Sequence, residues 1–360
     1  MKQNYFLTIK FNNIIHMNKK LKVGIAGFGT VGRKRKMFIE KHSNLELIAL
    51  CDKSFSNSKP EDYLIKCYEN YEDLLKLPLD VLFVCLTNDI QPEVTKKALE
   101  LGIHVFCEKP PGRTVQDIID VIEVEKRHPH LKLMYGFNHR YHDSVQDAMK
   151  MIKSGNLGKI INIRGVYGKS NLITFNQPDW RTKRQIAGGG VLLDQGIHML
   201  DLIRLFAGEF NEIKSFVSNS HWNHDVEDNA YAIMKNDKDI IAMIHSSATQ
   251  WRHRFNLEIN LQKGSIILGG FLSGTKSYGD ETITYIYADT QKDNGDPREE
   301  SVRYNKDPSW EREIDSFVSS IIENKPILNG SSNDALETMK LVYKIYSSDQ
   351  SWSEKYQIPK

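Results

Sequence analysis

The sequence predicts an α/β chain with two domains: an N-terminal Rossmann domain, then an α+β domain with a large, mainly antiparallel open sheet. Three observations predict it. The glycines of Gly27-Phe28-Gly29-Thr30-Val31-Gly32 lie between an apolar strand-like run and a helix-like run, and Asp52 follows Gly32 by twenty residues. Continuous apolar runs alternate with helical segments as far as about Phe137. Beyond that, strand-like runs follow one another from Glu212 to Tyr304 with no long helix between them.

In order along the chain, Leu21–Ala26 reads as a strand, Val31–Lys41 as a helix and Leu45–Cys51 as a strand. Tyr71–Lys76 is a short helix and Asp80–Leu86 a strand with no polar face. Pro92 opens a helix to Leu101, where its missing N–H does no harm, and Gly102 ends it. Ile103–Cys107, Thr114–Arg127 and Leu131–Tyr135 complete the alternation as strand, helix and strand. Continuous apolar strands separated by helices imply a parallel sheet covered on both faces.

The pattern then changes. Ser144–Lys153 reads as a helix, Ile160–Tyr167 as a strand, and Gly188-Gly189-Gly190 precedes a further helix. The strand-like runs are Glu212–Ser218, Asn229–Met234, Ile240–Ser247, Phe255–Leu261, Ser265–Leu268 and Ile283–Tyr287. Pro308–Ile322 and Ser331–Tyr346 are helices expected to pack back on the first domain. The expected boundaries are an N-terminal extension over 1–16, a Rossmann domain over 17–137 and the α+β domain over 138–360. Met17-Asn18-Lys19-Lys20 leads directly into the first strand, and Met17 is expected to be the physiological start.

A chain of 360 residues is long for one core, so two domains are the natural division. The net charge is +2 and no basic stripe is interleaved with aromatics, which argues against a nucleic-acid partner. No apolar stretch approaches the roughly 20 residues that span a bilayer. Cys51, Cys67, Cys85 and Cys107 contain no C-x-x-C pair, so small buried thiols are expected rather than a metal site or disulfides. That suits a reducing cytoplasm.

The glycine pattern carries specific physics. Gly27 permits a tight turn, Gly29 lets the backbone approach a pyrophosphate, and Gly32 lets helix and strand pack closely. Free N–H groups at the helix start face the phosphates. Asp52 accepts hydrogen bonds from the ribose hydroxyls and repels a 2′-phosphate. NAD is therefore expected over NADP, softened by Lys53, Ser54 and Lys59. Glu108-Lys109-Pro110-Pro111 follows a strand directly, which sets Lys109 beyond its carboxyl end, where ligands of such sheets lie. Proline after Lys109 makes a cis peptide possible. Asp194 and His198 are four apart and so share a helical face. Gly196 between them implies a close approach to that face, by substrate or cofactor among other candidates.

Together these residues resemble the glucose-fructose oxidoreductase / inositol dehydrogenase / MocA (Gfo/Idh/MocA) family. Gly136-Phe137-Asn138-His139-Arg140 and Trp180-Arg181 are similar to further family segments. One departure follows Thr87, where the family often has proline and then histidine but this chain runs Asn88-Asp89-Ile90-Gln91-Pro92. The resemblance implies that Lys109 contacts the reacting hydroxyl and the nicotinamide ribose. It implies His198 as general acid/base and Asp194 as a substrate ligand that tunes His198. Phe28, Thr30, Val31, Thr87, Asn88, Glu108, Asn138 and Arg181 would join the glycines and Asp52 around the cofactor. Homodimers or homotetramers through the C-terminal sheet are implied as well, with Ile240–Ile244 and Phe255–Leu261 as candidate interface strands.

Oxidising a secondary alcohol needs a base for the proton and an acceptor for the hydride. A histidine suits the first role, and a nearby carboxylate would raise its basicity. Lys109 or His198 takes the proton. Arg164, Tyr167, Lys169, Trp180, Arg184 and Gln185, with Trp251-Arg252-His253-Arg254, suit a polyol or an anionic handle. Tyr167 and Trp180 are expected substrate contacts. The expected activity is NAD(P)-dependent oxidation of a sugar, cyclitol or nucleotide-sugar. Alternatives are a keto-sugar reductase of surface-polysaccharide biosynthesis and a non-catalytic dinucleotide sensor.

Overall fold

The computed structural model describes residues 20–56, 65–173, 179–289 and 295–358. The expected N-terminal extension, Met17 and Lys59 lie outside the described residues.

Strands β1 (Leu21–Ala26), β2 (Leu45–Cys51), β3 (Lys66–Tyr68), β4 (Val81–Val84), β5 (His104–Cys107) and β6 (Leu133–Tyr135) form a parallel sheet. Its order is β3-β2-β1-β4-β5-β6. Helices α1 (Thr30–Ile39), α2 (Tyr71–Leu74), α3 (Gln91–Glu100) and α4 (Val115–Arg127) connect the strands. All four residues of β4, Val-Leu-Phe-Val, are buried, as a strand covered on both faces requires. Thr114 and Asp117 cap α4 reciprocally, which fixes where it begins. The order reverses between β1 and β4, and ligands of such sheets lie beyond the strand ends at that point. β3 has no counterpart in the sequence reading. Lys66-Cys67-Tyr68 is a three-residue edge strand held by pairing to β2, with no apolar pattern of its own.

The second half contains α5 (Asp143–Ser154), β7 (Ile160–Gly168), α6 (Arg184–Ala187), α7 (Ile197–Ala207), β8 (Glu212–Ser218) and β9 (Asn229–Lys235). It continues with β10 (Ile241–Ser247), β11 (Arg254–Leu261), β12 (Gly264–Gly269), β13 (Glu281–Tyr287) and β14 (Arg298–Tyr304). Helices α8 (Ser309–Ile322), α9 (Ser332–Ser348) and α10 (Gln350–Tyr356) close the described chain. The eight strands run β14-β13-β12-β11-β7-β10-β9-β8. Every neighbouring pair is antiparallel save β7 with β10, so the sheet is mixed. Strand β14 is Arg-Glu-Glu-Ser-Val-Arg-Tyr, a polar edge strand that alternation does not single out.

Helices α5, α7 and α9 cover one face of this sheet. The C-terminal helices do return to the first domain: Phe317 of α8 packs edge-on against the stacked rings of Phe83 and Phe106. The other face of the sheet carries Phe216, Tyr231, Ile233 and Ile241 exposed. The apolar residues of β11 (Phe255, Leu257, Ile259 and Leu261) are all core, so they are not what that strand would offer to an interface. Of Ile240–Ile244, only Ile241 and Met243 turn outward.

Candidate active site

The glycine loop sits between β1 and α1, and its three glycines meet three different demands. Gly27 has φ +94°, and a Cβ there would lie 2.2 Å from the Cys85 carbonyl oxygen. A Cβ on Gly32 would lie 2.0 Å from the Gly27 carbonyl oxygen, so close packing of the loop on its helix excludes a side chain. A Cβ on Gly29 would meet nothing within 4 Å. Gly29 is the N-cap of α1, without a side-chain cap or an acid in the first turn, so the leading N–H groups are left for an anion. Open space at Gly29 above uncapped amides fits a dinucleotide pyrophosphate.

Substituting these glycines separates fold from binding. Gly32→Ala is expected to destabilise the chain by about 1–3 kcal/mol through the backbone clash. Gly29→Ala should cost no more than about 1 kcal/mol, as a poorer N-cap, yet weaken dinucleotide binding. Thermal melts and fluorescence titrations with NAD check the pair.

A cavity of about 480 Å³ extends from this loop and is lined by Gly27, Phe28, Asp52, Thr87, Asn88 and Lys109 among others. Asp52 Oδ2 accepts from the Phe28 amide at 2.6 Å, and Oδ1 accepts from the Ser54 amide and hydroxyl at 2.9 and 2.7 Å. Partial burial opposes its charge, but these bonds and Arg33 outweigh it and hold the carboxyl below its usual range. Asn88 Nδ2 donates to the Ala187 carbonyl at 2.7 Å, and the Thr87 hydroxyl donates to Asp89 at 2.6 Å. Trp180 and Arg181 line this arm, the guanidinium lying 4.4 Å over the indole.

A second cavity of about 290 Å³ adjoins it and holds Lys109, Asn138, Tyr167, Asp194 and His198. Lys109 follows β5, precedes a cis peptide to Pro110, and donates to the Asp194 backbone carbonyl at 2.6 Å. Burial lowers its pKa, with Arg181 and Lys169 adding to the effect and Asp194 opposing it. The Asp194 carboxylate accepts from Lys169 Nζ at 3.1 Å and from Arg181 Nε at 3.2 Å. Burial would raise its pKa, but Lys169, Arg181 and Lys109 outweigh that and keep it well below the usual carboxylate range.

The expected coupling of Asp194 to His198 is not what forms. Leu192–Gly196 is a π-helical turn, which widens the spiral so that four-residue spacing no longer stacks the two side chains. Both carboxylate oxygens of Asp194 go to cations instead. His198 stacks on His139, with ring centroids 3.7 Å apart and planes 6° from parallel. Burial, then Lys109 and His142, push the His198 pKa well below its ordinary value, opposite to the expected rise in basicity. Its Nδ1 is buried without a partner among the described residues, leaving Nε2 as the nitrogen that reaches the cleft. Gly196 is also corrected. A Cβ there would lie 2.7 Å from Ser246 Oγ, so the close approach is made by strand β10, not by a ligand.

Residues that sequence reasoning gave no role also line the inner cleft, His139, Gln195, Tyr278 and Trp310 among them. His139 Nδ1 meets Asn138 Oδ1 at 3.2 Å, and its Nε2 meets the Tyr167 hydroxyl at 3.0 Å. Gln195 Nε2 donates to the Tyr278 hydroxyl, and Trp310 closes one side. Only His139 had a signal, being next to Asn138. Other expected polyol residues fall elsewhere: Arg164 pairs with Glu258, Trp251, Arg252 and Arg254 are exposed, and Arg184 and Gln185 line a different cavity. Trp180, expected at the substrate, lines the cavity that starts at the glycine loop and not the inner one.

Comparison with known proteins bears on the same arrangement. Residues 21–137 match the oxidoreductase family with an NAD-binding Rossmann fold, and residues 145–267 match the GFO/IDH/MocA C-terminal domain. The chain belongs to the Gfo/Idh/MocA family. The D-glucoside 3-dehydrogenase of Escherichia coli (strain K12) is 27% identical over 356 residues, covering 91% of this chain and 95% of that relative. Levoglucosan dehydrogenase of Pseudarthrobacter phenanthrenivorans is 32% identical over 141 residues, 39% of this chain and 36% of the relative. A solved levoglucosan dehydrogenase in complex with NADH and levoglucosan shares the fold. Its TM-score is 0.81 at 18% identity, covering 92% of this chain and 98% of that one. These distant Gfo/Idh/MocA relatives are sugar dehydrogenases. Among the described residues of this member, no helix is long and apolar enough to cross a membrane.

Proposed function

We propose that the chain is an NAD-dependent dehydrogenase of the cytoplasm acting on a secondary alcohol of a sugar, cyclitol or nucleotide-sugar. The observation that carries this reading is that the two cavities share Val31, Glu108, Lys109, Arg181 and Asp194 in their walls. A ligand along the glycine loop would therefore end beside Lys109 and within reach of the inner cleft.

Gly27, Gly29, Gly32, Asp52, Thr87 and Asn88 would hold NAD, which supplies the hydride acceptor when bound. Lys109 orients the reacting hydroxyl and stabilises negative charge developing on its oxygen. His198, kept neutral by burial, accepts the hydroxyl proton at Nε2. Asp194, kept ionised by its cations, accepts hydrogen bonds from neighbouring substrate hydroxyls. Tyr167 and Asn138 bound the same space through His139. Asp52 disfavours a 2′-phosphate, while Arg33 and Lys53 in the same cavity wall soften that preference.

The test is a panel of glucosides, anhydrosugars, inositols and nucleotide-sugars scored by NADH absorbance, beside separate titrations of NAD and NADP. The expected result is NAD reduction with at least one polyol and NAD affinity at least about tenfold above NADP, a difference of about 1.4 kcal/mol. NAD binding without turnover in either direction, or tighter NADP binding, overturns it.

The same proposal includes self-association through the exposed face of the eight-stranded sheet. Phe216 is 81% and Ile233 58% exposed there, an apolar patch that a second copy would cover. Sedimentation should show a dimer or larger species at micromolar concentration, and Phe216→Glu with Ile233→Glu should release monomers.

A further inference from the structure

Away from the two arms lies a third cavity, about 770 Å³, and none of the residues lining it lines the other two. It is set between the start of α4, helix α6 and the C-terminal helices α9 and α10. Its apolar walls come from Val115, Ile119, Tyr343, Tyr356 and Ile358. Every charged residue lining it is a cation: Arg113, Arg184, Lys340 and Lys344.

The four cations are not equally available. Lys340 pairs with Glu337 at 2.7 Å, and Lys344 donates to the Phe210 carbonyl at 3.2 Å. Arg113 spends Nη1 on the Gln185 carbonyl at 2.8 Å, and the Arg184 guanidinium lies 4.3 Å over the Tyr356 ring. Arg113 Nε and Arg184 Nη1 are buried with no hydrogen-bond partner among the described residues. Both guanidinium groups border the cleft, and the positive charge they bring to its wall favours an anion there. The neighbouring carboxylates are already engaged. Asp117 accepts the amides of Arg113 and Thr114, and Asp225 accepts the amide of Arg184. Glu227 accepts from Gly190, Leu192 and the Tyr346 hydroxyl.

We propose that this cleft binds an amphipathic organic anion. A flat apolar body lies between Ile119, Tyr343 and Tyr356, and one carboxylate, sulfonate or phosphate reaches Arg113 and Arg184. The volume suits a ligand of that size, and apolar walls with a few convergent polar groups are how such sites are built. A cation is repelled.

The probe is 1-anilinonaphthalene-8-sulfonate, an aromatic body with one anionic group, followed by its fluorescence on the full chain. Saturating NAD is present to keep the probe out of the dinucleotide arm. The expected result is saturable binding at one site, with the neutral N-phenyl-1-naphthylamine at least about tenfold weaker. The double variant Arg113→Gln, Arg184→Gln should bind the sulfonate at least about tenfold more weakly, with NAD affinity unchanged. Ile119→Trp fills the cavity and should abolish sulfonate binding. It also decides the matter if the double variant fails to fold. Equal sulfonate binding by the wild type and a folded double variant overturns the proposal. So do equal affinities for the two probes, or sulfonate binding that survives Ile119→Trp.

Discussion

Arg35→Met is expected to destabilise the chain by about 3–5 kcal/mol. Arg35 lies on α1 and is completely buried between the rings of Phe106 and Trp310, each 4.3 Å from its guanidinium. Its Nε donates to Glu108 Oε1 at 2.7 Å and its Nη2 to Glu313 Oε2 at 2.7 Å. One cation thus ties the Rossmann helix, the segment carrying Lys109, and α8. Removing it deprives the Glu108 carboxylate and the Glu313 carboxyl group of their shared cation, and the desolvation cost of Glu108 is no longer offset. Differential scanning calorimetry checks the drop. Glu313→Gln should cost much less. Burial pushes the Glu313 pKa up to about 8, against the pull of Arg35, so the group is mostly protonated at neutrality. The sign follows from linkage. The folded state holds this proton to about pH 8 while the unfolded chain releases it near 4.5, so wild-type stability declines as pH rises through that window. Glu313→Gln lacks that decline, and its melting temperature should therefore gain on the wild type between pH 5 and pH 8.

Lys109→Met is expected to lower kcat/KM by about three orders of magnitude or more, with NAD affinity changed only slightly. The fold should survive, because Asp194 keeps Lys169 and Arg181 as partners. His198→Gln should cost about 10²–10⁴-fold in the same measurement. Their pH profiles separate the two roles. In the proposed mechanism the neutral form of His198 accepts the proton, and burial with Lys109 holds its pKa well below the ordinary value. The acid limb of kcat/KM should therefore lie below pH 6.5, with activity sustained at neutrality. Removing the Lys109 charge relieves one cause of that depression and should move the limb to higher pH. A wild-type limb at or above pH 6.5, or a limb unmoved by Lys109→Met, would exclude His198 as the proton acceptor.

The parallel sheet was legible because each of its long strands carries its own signal. Leu21–Ala26 and Leu45–Cys51 are apolar apart from Lys22 and Glu46 near their starts and are followed by glycine and aspartate, so their bounds follow from composition. The glycine loop was legible for the same reason, since turn, close approach and tight packing each demand a missing side chain within six residues. Strands β3 and β14 were not, because short or polar edge strands exist only through the neighbour they pair with. The inner cleft was legible in membership and not in pairing. Lys109, Asp194 and His198 do line one cavity, but the expected partnership within it was wrong.

Local pattern is enough to settle the long strands and helices here, and that a dinucleotide loop precedes α1, because neighbours in sequence supply the decisive contacts. The closed fold alone decides that Lys169 at the end of β7 and Arg181 beyond it claim Asp194. It alone decides that His139 meets His198, and that Arg35 finds Glu313 at 278 residues' distance. The reason is physical. Charge pairing and ring stacking in a buried site depend on which segments the sheet topology brings together. A π-turn that shifts a helix face by a fraction of a turn is enough to redirect them.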